Sequence, residues 1–290
     1  MSTTITSYMC PLRAEPQRWL FLAGLLTGAA ALKTLYPAGL GSVEAPLWRV
    51  LVSGLLVGAG AAIGNGCTSG HGICGNSRLS TRSMAYTLVF MASGAATATL
   101  LKSGSTITYT PAGPPIDDTS GMLSLAVRVL GAHVALYVGI LGLAAKVFSQ
   151  DQAKHALWFL DGSLFALGLG LSSMTSPVKV AQFLDFSGGR WDPSLMFVMG
   201  GALLLNVPVM QGLVMNGTLK KPMWGKVFAY PPAGAIDSKL IQGGVLFGVG
   251  WGMGGACPGP ALVNLVHGHP LVMAWNAAMM CGIFLGSRLW

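Results

Sequence analysis

The chain has 290 residues, of which 9% are charged and 52% hydrophobic, with 41 glycines and a mean hydropathy of +0.62. A soluble domain carries about 25% charged residues, so the composition excludes a soluble globular enzyme, a disordered chain and a nucleic-acid binder. The net charge of +8 sits in short clusters between apolar runs, not along a basic stripe, and the five cysteines follow no regular framework.

Residues 1–18 read as a polar cytoplasmic tail containing Pro11, Arg13, Glu15 and Pro16, with no small-residue cleavage site after the first apolar run. Residues 19–290 read as a single transmembrane transport domain, with repeat halves at 19–150 and 151–290. Apolar windows fall at 19–35, 48–64, 83–101, 121–147, 156–173, 193–215, 238–255 and 270–288. Each approaches the roughly 17–25 residues that cross a bilayer. Punctuated loops separate them, among them Tyr36-Pro37-Ala38-Gly39, Pro111-Ala112-Gly113-Pro114-Pro115 and Pro231-Pro232-Ala233-Gly234. The expected fold class is an all-α integral membrane protein of about eight or nine transmembrane helices with re-entrant loops and a pseudo-twofold inverted repeat.

Charge gives an orientation. With an even span count and an inside N-terminus, eleven Lys and Arg fall on the inner side and four (Arg49, Lys102, Lys179, Arg190) on the outer. This positive-inside bias places both termini in the cytoplasm of a plasma-membrane protein.

The repeat is visible in the second and seventh windows. Leu51–Gly70 reads LVSGLLVGAGAAIGNGCTSG and Ile241–Pro260 reads IQGGVLFGVGWGMGGACPGP. At a constant offset of 190, Gly54, Leu56, Gly58, Gly60, Gly64 and Cys67 meet Gly244, Leu246, Gly248, Gly250, Gly254 and Cys257. An odd separation between the windows inverts one copy relative to the other, as in many transporters.

Each copy ends in a small-residue segment that is a poor continuous helix. At membrane depth such backbone survives only buried in protein or lining a wet cavity, so re-entrant loops are expected, with Cys67 and Cys257 approaching near the middle. Freed backbone N–H groups and half-helix N-termini suit an anion. A thiol adds a soft, weak donor, and neither loop carries Asp or Glu. Asn65, His71 and Cys74 support the first loop, while Gly64, Gly66, Gly254 and Gly255 allow close backbone approach. Two other classes stay open: a thiol oxidoreductase or sulfur-transfer enzyme using Cys67 and Cys74 covalently, and a metal-binding membrane protein using Cys67, His71 and Cys74. Cys10 and Cys281 read as small hydrophobes, Lys179 as a loop charge near an entrance, and the Trp and Met residues as interface belts and core filling.

Three stretches resemble the YeeE/YedE family of sulfur-transport membrane proteins: Gly58–Gly75 with GNGCTSGHGICG, Gly250–Pro260 with GWGMGGACPGP, and Gly170–Asp185 with LSSMTSPVKVAQFLD. Trp191-Asp192-Pro193-Ser194 adds to the likeness, and the chain resembles a fusion of two half-length relatives. The resemblance implies an hourglass of tilted helices and a permease for thiosulfate or a related sulfur anion. The anion is passed between the Cys67 and Cys257 thiols without covalent transfer, so no enzyme activity, cofactor or metal is implied. Where some relatives carry a further cysteine in an N-terminal broken helix, this chain offers Lys33 and Thr34. The expected partners are the anion, the lipid bilayer and a cytoplasmic sulfur-carrier protein, with no nucleic acid.

Overall fold

A computed structural model of the chain describes residues 16–114, 119–144, 149–187, 189–223, 228 and 234–288. Cys10, Arg13, most of the N-terminal tail, Pro115, Lys146, Lys226 and Pro231-Pro232-Ala233 lie outside the described residues. Within them run eleven α-helices: α1 (Pro16–Leu35), α2 (Leu47–Ile63), α3 (Thr81–Leu100), α4 (Ser103–Thr106), α5 (Thr119–Ala144), α6 (Gln150–Leu171), α7 (Pro177–Leu184), α8 (Ser194–Val209), α9 (Ser238–Gly254), α10 (Pro258–Asn264) and α11 (Pro270–Arg288). Each apolar window of the sequence coincides with one of them. A π-helical segment, Thr68–Gly75, follows α2, and a second, Met210–Met215, continues α8 beyond Pro208.

Among the described residues five stretches are long and apolar enough to cross a membrane, and a sixth qualifies if Leu47–Ile63 and Thr68–Gly75 form one span bent by 43°. That is fewer than the eight or nine expected. α1 and α6 have the length, at 20 and 22 residues, but α1 carries Arg18 and Lys33, and α6 carries Asp151, Lys154 and Asp161. Such groups are costly in hydrocarbon. α5 and α8 are the opposite case. Their apolar side chains point outward, with Leu123, Phe197 and Leu204 exposed, which is the surface expected to meet lipid tails.

Glycine sets the packing, because only small residues let helix backbones approach closely in a membrane. Gly60 of α2 abuts Gly243 and Phe247 of α9, and Gly250 of α9 abuts Ser53 and Val57 of α2, so these two helices run antiparallel. Gly54 meets Trp275, and Gly58 meets Met279 and Ile283, so α2 and α11 run parallel. Gly244 meets Tyr86 and Val89, and Gly248 meets Phe90 and Gly94, so α9 and α3 also run parallel. Under the 190-residue offset the last two pairings exchange. Tyr86, Phe90, Phe247 and Trp251 fill the space between these helices, with the Phe90 and Trp251 rings edge-to-face at 5.6 Å. α1 and α6 form a separate parallel pair, Gly24 lying on Phe159 and Gly28 on Ser163. The antiparallel relation of α2 and α9 therefore does not extend to the first helices of the two halves.

One element departs from the all-α expectation. Gly41–Glu44 and Thr108–Pro111 form a two-stranded antiparallel ribbon, β1 and β2, with Gly41 opposite Pro111 and Glu44 opposite Thr108. Thr108, Tyr109 and Thr110 favour extended backbone. Val43 of β1 and Ile107, just before β2, enter the wall of a cavity described below.

Candidate functional site

The two small-residue segments fold back by the same local device. α2 ends because Asn65 takes a left-handed conformation, φ 55°, which Asn tolerates better than most residues. α9 ends at Gly255, φ 63°, the position equivalent to Asn65 under the repeat. Glycine is required there twice over, since a Cβ would also overlap the Pro177 carbonyl. The next cysteine in each copy is extended and caps a short helical segment. Cys67 (φ −134°, ψ −173°) precedes Thr68–Gly75, and Cys257 (φ −99°, ψ 153°) precedes α10. Each carbonyl accepts the first turn's closing bond, Cys67 from the His71 N–H at 2.9 Å and Cys257 from the Ala261 N–H at 3.0 Å. The first segment opens with the N–H groups of Thr68, Ser69 and Gly70, which have no intrahelical acceptor. The second is poorer in donors, because Pro258 and Pro260 have no N–H.

The cysteines share one cavity of about 530 Å³, whose lining includes Cys67, Cys257, Thr68, Met174, Met199 and Trp251. Both cysteines are 2% exposed. The Thr68 hydroxyl donates to Cys257 Sγ at 3.8 Å, joining one loop to the other, and Cys67 Sγ lies 3.3 Å from Ser69 Oγ. Trp251 is fully buried, and its indole N–H faces the Cys257 thiol, a weak acceptor. An indole nitrogen is a donor only, so a visiting anion can take up this N–H in place of the sulfur. Trp251 is not among the residues the sequence singled out. Its signal is an asymmetry, for the repeat places Ala61 at the matching position.

The other expected residues divide by location. His71 is buried outside the cavity lining and clamps the loop: Nδ1 lies 3.0 Å from Ser83 Oγ, Nε2 3.1 Å from the Gly64 carbonyl, and the ring stacks on Tyr86 with centroids 4.3 Å apart. Gly64 and Gly66 make room for this clamp, since a Cβ would strike the Tyr86 ring at the first and the His71 ring at the second. The Tyr86 hydroxyl donates toward the Gly60 and Gly66 carbonyls, each at 3.2 Å. Asn65 is exposed at the turn, Cys74 is exposed on the π-helical segment, and Lys33 is exposed in the last turn of α1. None of the three lines the cysteine cavity. Lys179 is tied to Asp192 by an ion pair of 2.6 Å, so its charge is already compensated. Among the described residues no group of three or more His, Cys, Asp or Glu side chains gathers as a metal site, and both ring nitrogens of His71 face protein partners.

A second cavity, of about 520 Å³, adjoins the first, with Met174 and Pro260 in both linings. Gly254 and Gly255 belong here rather than with the cysteines, together with the buried polar side chains of Arg49, Ser53, Asn264 and Asn276. The sequence placed Arg49 among outer loop charges. The fold instead buries it, because α2 begins two residues earlier, at Leu47, and turns the side chain against the end of α9.

Residues 18–97 match a family described as sulphur transport, and residues 154–289 match a family of unknown function, DUF6691. A protein of Xylella fastidiosa strain Temecula1 named "Probable transporter" is 40% identical over 128 residues, covering 44% of this chain and 84% of that protein. Its namesake in strain 9a5c is 40% identical over 128 residues, covering 86% of its length. Another "Probable transporter" of strain Temecula1 is 43% identical over 82 residues, 28% of this chain and 61% of that protein. No solved structure matches the chain.

Proposed function

The chain belongs to the sulphur-transport (YeeE/YedE) family of membrane proteins, and on that premise we propose that it is a permease for thiosulfate or a closely related sulfur anion. The observation that carries the reading is the shared cavity: Cys67 and Cys257, one from each copy of the repeat, are buried together and linked through Thr68. A thiol S–H donates to a soft anion, and its polarisable sulfur suits a sulfur terminus. Thr68, Ser69 and the Trp251 N–H add harder donors for the oxygen end of the anion. Cys74 is exposed and Cys67 buried, an arrangement that favours donation over a covalent exchange between the two.

The helix senses support eight alternating crossings, by α1, α2, α3, α5, α6, α8, α9 and α11, and an inverted repeat centred on α2 and α9. Alternation requires α1 with α6, α2 with α11 and α3 with α9 to be parallel, and α2 with α9 to be antiparallel. These are the four senses read from the glycine contacts. The remaining excess of Lys and Arg on one side supports a cytoplasmic location for both termini.

The test is uptake of radiolabelled thiosulfate into liposomes that hold only this protein. Saturable uptake above empty liposomes is expected, competed better by thiosulfate than by sulfate. Failure of the reconstituted, folded protein to move thiosulfate across a range of ion gradients would remove the proposal. Trp251→Phe keeps most of the ring packing and deletes the indole N–H. It should raise KM for thiosulfate by about five- to tenfold while leaving the melting temperature close to native, because sulfur is a weak acceptor and little is lost with the contact. A KM unchanged within error would remove the indole from the binding set.

A further inference from the structure

We propose that the cavity at Arg49 is a second small-anion site, an antechamber that collects a doubly charged oxyanion beside the cysteine cavity. Arg49 is 6% exposed. Among the described residues the two ion pairs are Arg82 with Asp237 and Lys179 with Asp192, and neither involves Arg49. Its partners are neutral: Nε donates to the Met253 carbonyl at 2.7 Å, Nη1 to Thr106 Oγ1 at 2.8 Å and Nη2 to Ser103 Oγ at 2.6 Å. Those bonds use three of the five N–H groups of a guanidinium. Two carboxylates lie along the segment that holds Arg49: Asp185 is engaged by the Gly104 N–H at 3.0 Å and by Ser187 at 2.7 and 2.9 Å, and Glu44 accepts from the Thr108 hydroxyl at 3.3 Å. A buried charge without a counter-charge is expensive, and buried charges are normally paired. The end of α9 supplies a partial negative charge of about half an electron, which leaves a net positive site on the cavity wall.

The rest of the wall leaves few competitors for that charge. Asn264 bridges the Gly41 N–H and the Thr175 carbonyl, and Ser53 accepts from the Trp275 indole at 3.0 Å. Asn276 spends its amide donors on the Ala261 and Val272 carbonyls. The remaining lining is mainly apolar or glycine, so an ion entering there meets a low dielectric in which Arg49 acts strongly. A guanidinium fork matches two oxygens of an oxyanion. The thiols next door match a sulfur terminus, and the flexible thioether of Met174 stands between the two cavities. The two sites thus divide the recognition of one anion: charge and oxygens at Arg49, sulfur at Cys67 and Cys257. The binding claim stands on the cavity itself; only the order of the sites along a route rests on the transport reading.

Arg49 also ties α2 to α4 and α9, so the test must separate capture from bracing. Binding of thiosulfate and of sulfate to the detergent-purified full chain is followed by calorimetry in Cys257→Ala, with and without Arg49→Lys. Uptake by Arg49→Lys in the otherwise native chain is followed in liposomes. Cys257→Ala should still bind both anions, and adding Arg49→Lys should weaken binding about tenfold, because lysine keeps the charge but loses the fork. In liposomes, Arg49→Lys should raise KM about tenfold with the maximal rate within about twofold, and added chloride should raise the native KM more than the variant's. Ser103→Ala and Thr106→Ala remove braces without removing charge, and KM should stay the same or fall. Sulfate and thiosulfate binding that ignores Arg49→Lys overturns the inference, as does a KM increase in Ser103→Ala and Thr106→Ala equal to that of Arg49→Lys. Loss of uptake in a protein that still binds sulfate through Arg49 instead counts against the transport reading and leaves this site standing.

Discussion

Cys257→Ala is expected to abolish thiosulfate uptake while the variant still purifies as a folded, monodisperse protein. Removing one small buried atom costs on the order of 1 kcal/mol by loss of packing, too little to unfold a domain held by several glycine-mediated helix contacts. What disappears is the only thiol the second loop brings to the cavity. Cys67→Ala gives the same result, because a relay between two donors fails when either is missing. Cys257→Ser is also severely impaired, since a hydroxyl keeps a donor but lacks the polarisable sulfur. Cys74→Ala and Cys281→Ala are the controls: both cysteines are exposed and neither lines the cavity, so uptake should stay within about twofold, as for most surface changes. Near-native uptake by Cys257→Ala would show that the cavity thiols are not on the route.

Gly60→Leu is expected to prevent assembly of the membrane domain. A Cβ at this position would overlap the Phe247 backbone N and press on Gly243, and both belong to α9, whose spacing is fixed by the reciprocal seat of Gly250 against Ser53 and Val57. Backbone cannot rotate away as a side chain can, so the cost is about 3 kcal/mol or more, at the top of the overpacking range. Expression followed by size-exclusion chromatography and thermal unfolding should show aggregation or a large loss of melting temperature. Gly139→Leu on α5, where a Cβ meets nothing within 4 Å, should be tolerated. A well-folded Gly60→Leu protein would mean that α2 and α9 do not cross at this point.

The sequence carried what depends on local composition. Apolar windows are long-range averages, so each coincides with a helix, and the glycines of the repeat mark where α2 and α9 touch because small residues alone permit that distance. The paired turns at Asn65 and Gly255 follow from the same alignment. What the sequence could not display depends on neighbours distant in the chain. Arg49 looks like a flanking loop charge until α4 and the end of α9, residues 103–106 and 252–253, close around it. Trp251 looks like core filling until its indole N–H faces the Cys257 thiol on the cavity wall. His71 and Cys74 lie in the same motif as Cys67, but the π-helical turn sends His71 toward Ser83 and leaves Cys74 exposed. The β1–β2 ribbon joins segments more than sixty residues apart, and neither strand is long enough to announce itself.

The central claim is that an intact sulfur anion passes between two thiols without bonding covalently to either, and the most direct measurement follows both sulfurs of the substrate. Liposomes holding the native protein receive thiosulfate labelled differently at its two sulfurs, and the internal anion and the protein are analysed by mass spectrometry through several turnovers. Both labels should arrive still joined, at the rate of total uptake, with no sulfur adduct on Cys67, Cys74 or Cys257 at any time. Separated labels inside, or an adduct on one of these cysteines that forms and decays with the flux, would contradict the account and point to covalent sulfur transfer.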